Sequence, residues 1–242
     1  MATALPPPSS PGTGLDFGRC FSFVTEDPDA VKKVLIGGAF SLASIFLVGA
    51  FFVAGYFARF VKRVAAGEPR PLPEWDDLGG IFNDGLRLVG LYFVYLFGFL
   101  FVLALAACPV GLAVGGLSGL GSGSDAAERA AAALGGLGIL FLYGAIFATS
   151  LALNLVLPAA VLRVIFKDSF GAGLEVGKIF AFIRQNLGNY LLSLVVFLLA
   201  HFVAQFGVIL CCVGVFPLMF WAYLTVGHAL GQTVRANPVS LG

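Results

Sequence analysis

The chain has 242 residues, of which 59% are hydrophobic and 11% charged, with a mean hydropathy of +0.98. A soluble domain carries about a quarter charged residues, so composition alone indicates a membrane protein. A net charge of +1 makes no case for nucleic-acid binding, and four scattered cysteines (Cys20, Cys108, Cys211, Cys212) argue against a disulfide framework or zinc site.

Residues 1–16, rich in Pro, Ser and Gly, read as a disordered tail with no cleavable signal peptide. Phe17, Phe21, Phe23 and Val24 follow as a short aromatic, interfacial stretch ahead of the acidic turn Glu26-Asp27-Pro28-Asp29. The first apolar segment covers about 34–58, and 25 residues at ~1.5 Å each reach ~37 Å, enough to cross a ~30 Å hydrocarbon core. Further apolar segments cover about 86–110, 138–162, 190–210 and 215–234. A Gly/Ser-rich stretch, GGLSGLGSGSDAAERAAAALGG, reads as a flexible connection between the second and third. The apolar join CCVGVFP requires a tight turn between the fourth and fifth, with Cys211 and Cys212 as packing residues, and 237–242 form a tail.

The expected fold is therefore an all-α, polytopic transmembrane helix bundle of about five spans, one domain over 17–236. Five spans place the loops 59–86 and 163–187 on one face with the C-terminus, and that face carries ten of the 14 Lys and Arg residues. The positive-inside rule makes it cytoplasmic in a prokaryotic cytoplasmic membrane and puts the N-terminus outside. Lys32 and Lys33 run against this arrangement. Were 34–58 a re-entrant hairpin instead of a span, the N-terminus would lie inside.

A repeat underlies the pattern. Shifting the sequence by 98 residues sets Leu78–Phe82 (LGGIF) on Val176–Phe180 (VGKIF), Gly90 on Gly188 and Tyr92 on Tyr190. Ahead of these, Ala58–Lys62 (ARFVK) matches Leu162–Lys167 (LRVIFK) across a shorter loop. Each unit, about 34–110 and 138–210, reads as span, basic exit, capped amphipathic helix, span, and two spans per unit make the repeats parallel. Asp76 or Asp77 is expected to cap the first amphipathic helix, and Asp168 or Ser169 the second. Small residues at four-residue spacing (Ala50, Ala54, Ala58; Gly144, Ala148, Ala152; Gly227, Gly231) suggest that the first, third and fifth spans pack centrally, a homodimer contact being the alternative use of such a stripe.

Few polar residues fall within the spans: Asn154, His201, Gln205, His228 and Gln232. His201/Gln205 and His228/Gln232 are i,i+4 pairs, so each pair shares a helix face. Together they form a candidate polar intramembrane site, for a transport path or for interhelical hydrogen bonds, although His228 and Gln232 lie nearer the cytoplasmic end than His201. No metal motif, nucleophile elbow or phosphate loop is present, and no cofactor is implied. Glu74, Asp76, Asp77 and Asp84 suit helix capping and ion pairing better than acid–base catalysis. Arg59, Lys62, Arg63 and Arg70 form a belt suited to anionic lipid headgroups, with Trp75 as an interfacial anchor.

The runs FGRCFSFVTEDPDAVKKVLIGG, GYFARFVKR and PLPEWDDLGGIFNDGL, with the later NYLLSL and GHALGQ, resemble an uncharacterised group of bacterial and archaeal multi-pass membrane proteins, the domain-of-unknown-function family 4013. The resemblance covers roughly 16–234 and implies an integral membrane fold without adding an activity. The expected function is a structural or accessory component of a membrane assembly, partnered by the lipid bilayer and by copies of itself or a larger complex. A small-solute or ion transporter using the His, Gln and Asn residues is the alternative.

Overall fold

A computed structural model describes residues 14–120, 125–209 and 214–241 of the chain. Among these residues its regular elements are all helices: α1 (Phe17–Ser22), α2 (Ala30–Ala43), α3 (Val48–Ala66), α4 (Leu78–Leu120), α5 (Asp125–Lys167), α6 (Val176–Gln185), α7 (Leu187–Gln205) and α8 (Val215–Ala236), with short 3-10 turns after α1, α2, α5, α7 and α8. Among the described residues, three stretches are long and apolar enough to cross a membrane: Leu78–Leu112, Glu128–Lys167 and Leu187–Ile209. The chain divides into two units, one holding the residues up to Val89 and from Ala159 onward, the other Gly90–Pro158.

The first unit is built around α8, which packs on α1, α2, α3 and α7. Ala200 and Ala204 of α7 bury with Ala222, and Val196 with Ala229, so α7 and α8 run antiparallel with small residues at their seam. A Cβ at Gly227 would lie 2.6 Å from the Phe57 ring, and one at Gly231 would lie 2.8 Å from Val64. The small-residue stripe of α8 thus seats α3, running parallel to it. Burying these faces with alanine and glycine lets the backbones approach where lipid offers no hydrophobic drive to associate. A second close approach joins α3 and α4, where a Cβ on Gly55 would lie 1.8 Å from the Ile81 carbonyl and one on Gly85 the same distance from that of Phe51.

The apolar segment 34–58 is not one helix, which corrects the single span expected there. Helix α2 ends at Ala43, a 3-10 turn covers Ser44–Phe46, and Leu47 takes a left-handed φ of 66° before α3 begins. The chain reverses, so that Phe40 stacks on Phe52 at 4.6 Å and α2 packs along α3. The last apolar segment is the helix α8, but it is not among the three membrane-length stretches, since His228, Gln232 and its tyrosine and tryptophan lower its hydropathy.

In the second unit α4 and α5 pair where Gly138 sits against Val110. Phe97, Phe101, Leu140 and Phe147 are exposed there. The stripe Gly144, Ala148, Ala152 is exposed as well, and nothing lies within 4 Å of a Cβ on Gly144. The presumed flexible connection is largely helical. Helix α4 runs to Leu120 and α5 starts at Asp125, because AAERAAAAL is a strong helix former, and 121–124 lie outside the described residues. Residues 1–13 of the expected disordered tail, and Cys211 and Cys212, also lie outside them. Asp16, assigned by composition to that tail, caps α1 by accepting from Arg19 N–H. At the other end, Ser240 and Leu241 are buried and do not form a loose tail.

Candidate functional site

The loop between α3 and α4 carries the LPEW motif, and every residue of that motif is bonded to an element of the first unit. The Leu72 carbonyl accepts from Lys33 Nζ and from Arg63, both at 3.3 Å. The Pro73 carbonyl accepts from the Tyr56 hydroxyl at 3.0 Å. The Glu74 carboxylate pairs with Lys33 Nζ at 2.6 Å, and Trp75 Nε1 donates to the Lys33 carbonyl at 3.1 Å. The Trp75 indole lies between Tyr56 (4.2 Å) and Phe40 (4.9 Å). Proline at 71 and 73 suits such a segment, since each fixes an extended φ and removes an N–H that would otherwise need a partner.

Lys33 is the centre of this clasp and was not a candidate from the sequence. Its side chain is only 6% exposed and also pairs with the buried Asp27 at 2.7 Å. Burial works against the charged form of both groups. The hydrogen bonds between them, with Glu74 on Lys33 and the Asp29 N–H on Asp27, outweigh it, so Lys33 titrates above its usual range and Asp27 below.

A second charged cluster lies where α3, α4 and the end of α5 meet. Arg59 pairs with Asp77 at 2.9 Å and Asp84 at 2.7 Å. Asp77 also caps α4 by accepting from Gly80 N–H, and that bond, then Arg59, holds its carboxyl below the usual range. Lys62 reaches Asp168 at 2.8 Å, and Arg87 donates to the Asp168 carbonyl at 3.0 Å. Asp168 ends α5 in the left-handed region (φ 48°), which Asp tolerates better than most residues, and the Lys62 bond depresses its carboxyl. Arg59, Lys62, Asp84, Arg87 and Asp168 line a half-open crevice with space for about one water-sized group.

The matching place at the second amphipathic helix is differently built. Arg163, 1% exposed, donates to the Ala172 carbonyl (3.1 Å), the Leu241 carbonyl (2.6 Å) and the Glu175 carboxylate. The N-cap of α6 is Glu175, with no side-chain capping bond, and Asp168 and Ser169 do not cap it. The five-residue 3-10 turn Phe170–Leu174 displaces the helix start from the residues the sequence suggested.

Of the candidate polar residues, one pair is brought together. Asn154 donates to the Ser150 carbonyl of its own helix and is exposed. His201 Nδ1 contacts the Phe197 carbonyl one turn back, and Gln205 is exposed. His228 and Gln232 do meet, with Gln232 Nε2 2.9 Å from His228 Nδ1. The same amide accepts from Asp16 N–H at 2.7 Å and donates to the Asp16 carbonyl at 3.2 Å, which fixes its orientation. His228 is buried, its ring stacked on Phe23 at 5.3 Å. This pair therefore ties the N-terminal segment to α8. Of the basic belt, Arg70 is exposed, Arg63 pairs with Glu68 at 3.7 Å, and Trp75 is half-buried in the clasp. Among the described residues, no three of His, Cys, Asp and Glu are placed to hold a metal ion.

A family model described as a protein of unknown function (DUF4013) matches residues 39–213. The chain belongs to this family. No curated protein and no solved structure matches it. The DUF4013 match takes in the hairpin turn, the LPEW loop, Arg59 and Arg163, while Lys33 and α8 lie outside the matched residues. With its membrane-length apolar helices, this DUF4013 protein is a membrane protein of unknown activity.

Proposed function

We propose that this DUF4013 protein is a structural or accessory component of a membrane assembly, acting as a homo-oligomer or as a subunit of a larger complex in a prokaryotic cytoplasmic membrane. One observation carries the reading. Four of the five candidate polar side chains make bonds within the chain: Asn154 and His201 to carbonyls of their own helices, and His228 with Gln232 to the N-terminal segment, while Gln205 is exposed. Charged groups concentrate instead in the clasp and the crevice, where they join helices together. A mild-detergent pull-down followed by mass spectrometry tests it. Recovery of a reproducible partner or a discrete homo-oligomer supports the proposal, and a lone monomer in every detergent counts against it. A transporter would need a water-filled path reaching Asn154, His201 or Gln205, so cysteine labelling at those positions from the aqueous phase would favour that alternative.

The same reading includes a parallel repeat of a basic exit and a capped helix. It is supported by the starts of α4 and α6 at Leu78 and Val176, positions 98 apart in the aligned sequence. The residue before each start, Asp77 or Glu175, is held by an Arg from the preceding helix, Arg59 or Arg163. The units diverge afterwards, α4 running on unbroken while α6 stops at Asn186 before α7. The basic face is assigned to the cytoplasm by its excess of Lys and Arg. Of the belt Arg59, Lys62, Arg63 and Arg70, the exposed Arg70 is the one available to anionic headgroups, at ~1 kcal/mol per charge, since the other three already hold carboxylates.

A further inference from the structure

We propose that α2 and α3 form a re-entrant hairpin that enters and leaves the bilayer from one side, with its tip at Ser44–Val48 resting among lipid acyl chains. The residues flanking the hairpin, Lys32 before it and Arg70 after it, then face the same aqueous compartment. No Asp, Glu, Lys or Arg occurs between Lys33 and Arg59, so the whole hairpin is free of charge while both of its ends are charged. Those ends are fastened together, by Lys33 to Glu74, by Trp75 to the Lys33 carbonyl, and by Tyr56 to the Pro73 carbonyl.

Depth follows from length. The Glu74 side chain is 61% exposed, and an exposed carboxylate does not sit in hydrocarbon, so the clasp marks the membrane surface. Helix α2 has 14 residues, which at ~1.5 Å each carry the chain ~21 Å from that surface, short of the ~30 Å core. The tip therefore ends inside the bilayer. Its surface is apolar: Ile45 is 68% exposed, Phe46 80% and Val48 57%. Hydrocarbon also demands that polar groups be satisfied within the protein. Ser41 and Ser44 donate their hydroxyls to the Gly37 and Phe40 carbonyls, and the turn is closed by Leu47 N–H to the Ser44 carbonyl and Ala50 N–H to that of Leu47. A tip bound to another protein would need none of this self-sufficiency, and a tip in water would not show four large apolar residues in a row.

The hairpin also resolves the charge conflict in the sequence. Arg19, Lys32 and Lys33 move to the face of the basic loops, which then holds thirteen of the fourteen Lys and Arg residues, against ten for a single span. Positive charge is retained on the cytoplasmic side, so the asymmetry becomes stronger.

The test uses the full chain in sealed vesicles, with Cys20, Cys108, Cys211 and Cys212 replaced by alanine and single cysteines introduced. Lys32→Cys and Arg70→Cys should react with a membrane-impermeant maleimide from the same side, and Phe46→Cys from neither. A spin label on Phe46→Cys should collide with oxygen and not with a water-soluble nickel chelate. Reaction of Lys32→Cys and Arg70→Cys from opposite sides would restore a single span and overturn the hairpin. Nickel access at residue 46, or loss of both oxygen and nickel access, would overturn the lipid-facing tip. Should the cysteine-free chain not fold, reporter fusions at the N-terminus of the native chain read the same side: a cytoplasmic reporter active there supports the hairpin, and an externally active one overturns it.

Discussion

Lys33 Nζ lies 2.7 Å from the Asp27 carboxylate and 2.6 Å from that of Glu74, so one ammonium joins the N-terminal turn to the LPEW loop 41 residues later. Asp27 is as buried as the lysine, whereas Glu74 faces solvent. The two pairs should therefore differ in worth. Removing Lys33 strands a buried carboxylate at a cost of about 3–5 kcal/mol, while an exposed pair contributes about 0–1 kcal/mol. In detergent, Lys33→Met and Asp27→Asn should each lower Tm by roughly 10 °C, and Glu74→Gln by a few degrees at most. Equal losses for Asp27→Asn and Glu74→Gln would show that the clasp is not organised around the buried pair.

The pH dependence of that pair has a definite sign at each end. Asp27 titrates below its usual 3.8 in the folded chain, so its contribution is present above that value and is lost as pH falls through the lower folded value. Lys33 titrates above its usual 10.5, so its contribution is complete below 10.5 and is lost as pH rises past the raised value. Thermal stability should hold across the range between and fall at both extremes. In Lys33→Met the alkaline loss should shrink relative to the native chain, as pH-resolved melting would record.

Glycine packing gives an independent check on how α3 and α4 cross. A methyl group on Gly55 or Gly85 would meet a main-chain carbonyl at 1.8 Å, which no rotamer change relieves. The helices must separate, so Gly85→Ala should cost about 1–3 kcal/mol through overpacking. Gly98→Ala, on the same helix with nothing within 4 Å, should leave stability unchanged or raise it slightly. Paired melting curves of the two variants would decide the matter.

Much of the membrane character was legible, and the reasons for the misses are physical. Apolar length marked the three membrane-length stretches, around 86–110, 138–162 and 190–210, because hydropathy needs no tertiary information. The reversal at residues 44–47 was hidden because its turn, Ser-Ile-Phe-Leu, contains neither Gly nor Pro and is as apolar as the helices it joins. Asp77 was readable as a cap because its side chain bonds Gly80 N–H three residues on. Glu175 was not, since it caps by position alone and its carboxylate is held by Arg163 and Lys178. Lys33 read as one of two basic residues beside a span. Nothing local distinguishes it from Lys32, and only the return of residues 72–75 makes it the buried one.

His228 and His201 look alike in the sequence and should behave differently. His228 is buried, bonded to Gln232 and stacked on Phe23, so His228→Ala leaves a cavity and an amide short of a partner. A loss of about 2–4 kcal/mol is expected. Among the described residues, the hydrogen bond and the ring contact of His201 are both to Phe197 of its own helix, so His201→Ala should cost less than about 1 kcal/mol. Comparable large losses from both would indicate that His201 has a partner beyond its own helix.

Arg163 is among the largest fully buried side chains of the described residues, and it binds three separate acceptors. A guanidinium presents several N–H groups in a fixed fork, and a lysine ammonium cannot reach three acceptors in that geometry. Arg163→Lys should therefore keep the charge and still destabilise the chain, by about 3 kcal/mol if one bond to a buried carbonyl and the Glu175 pair are lost. The Leu241 carbonyl would be released first, because it is held across 78 residues while Ala172 and Glu175 lie close in sequence. Carboxypeptidase digestion should then remove the terminal residues of Arg163→Lys faster than those of the native chain. Arg59→Lys, whose partners are the partly exposed Asp77 and Asp84, should leave the C-terminus protected. Equal digestion of all three proteins would mean that Arg163 does not anchor the C-terminal turn.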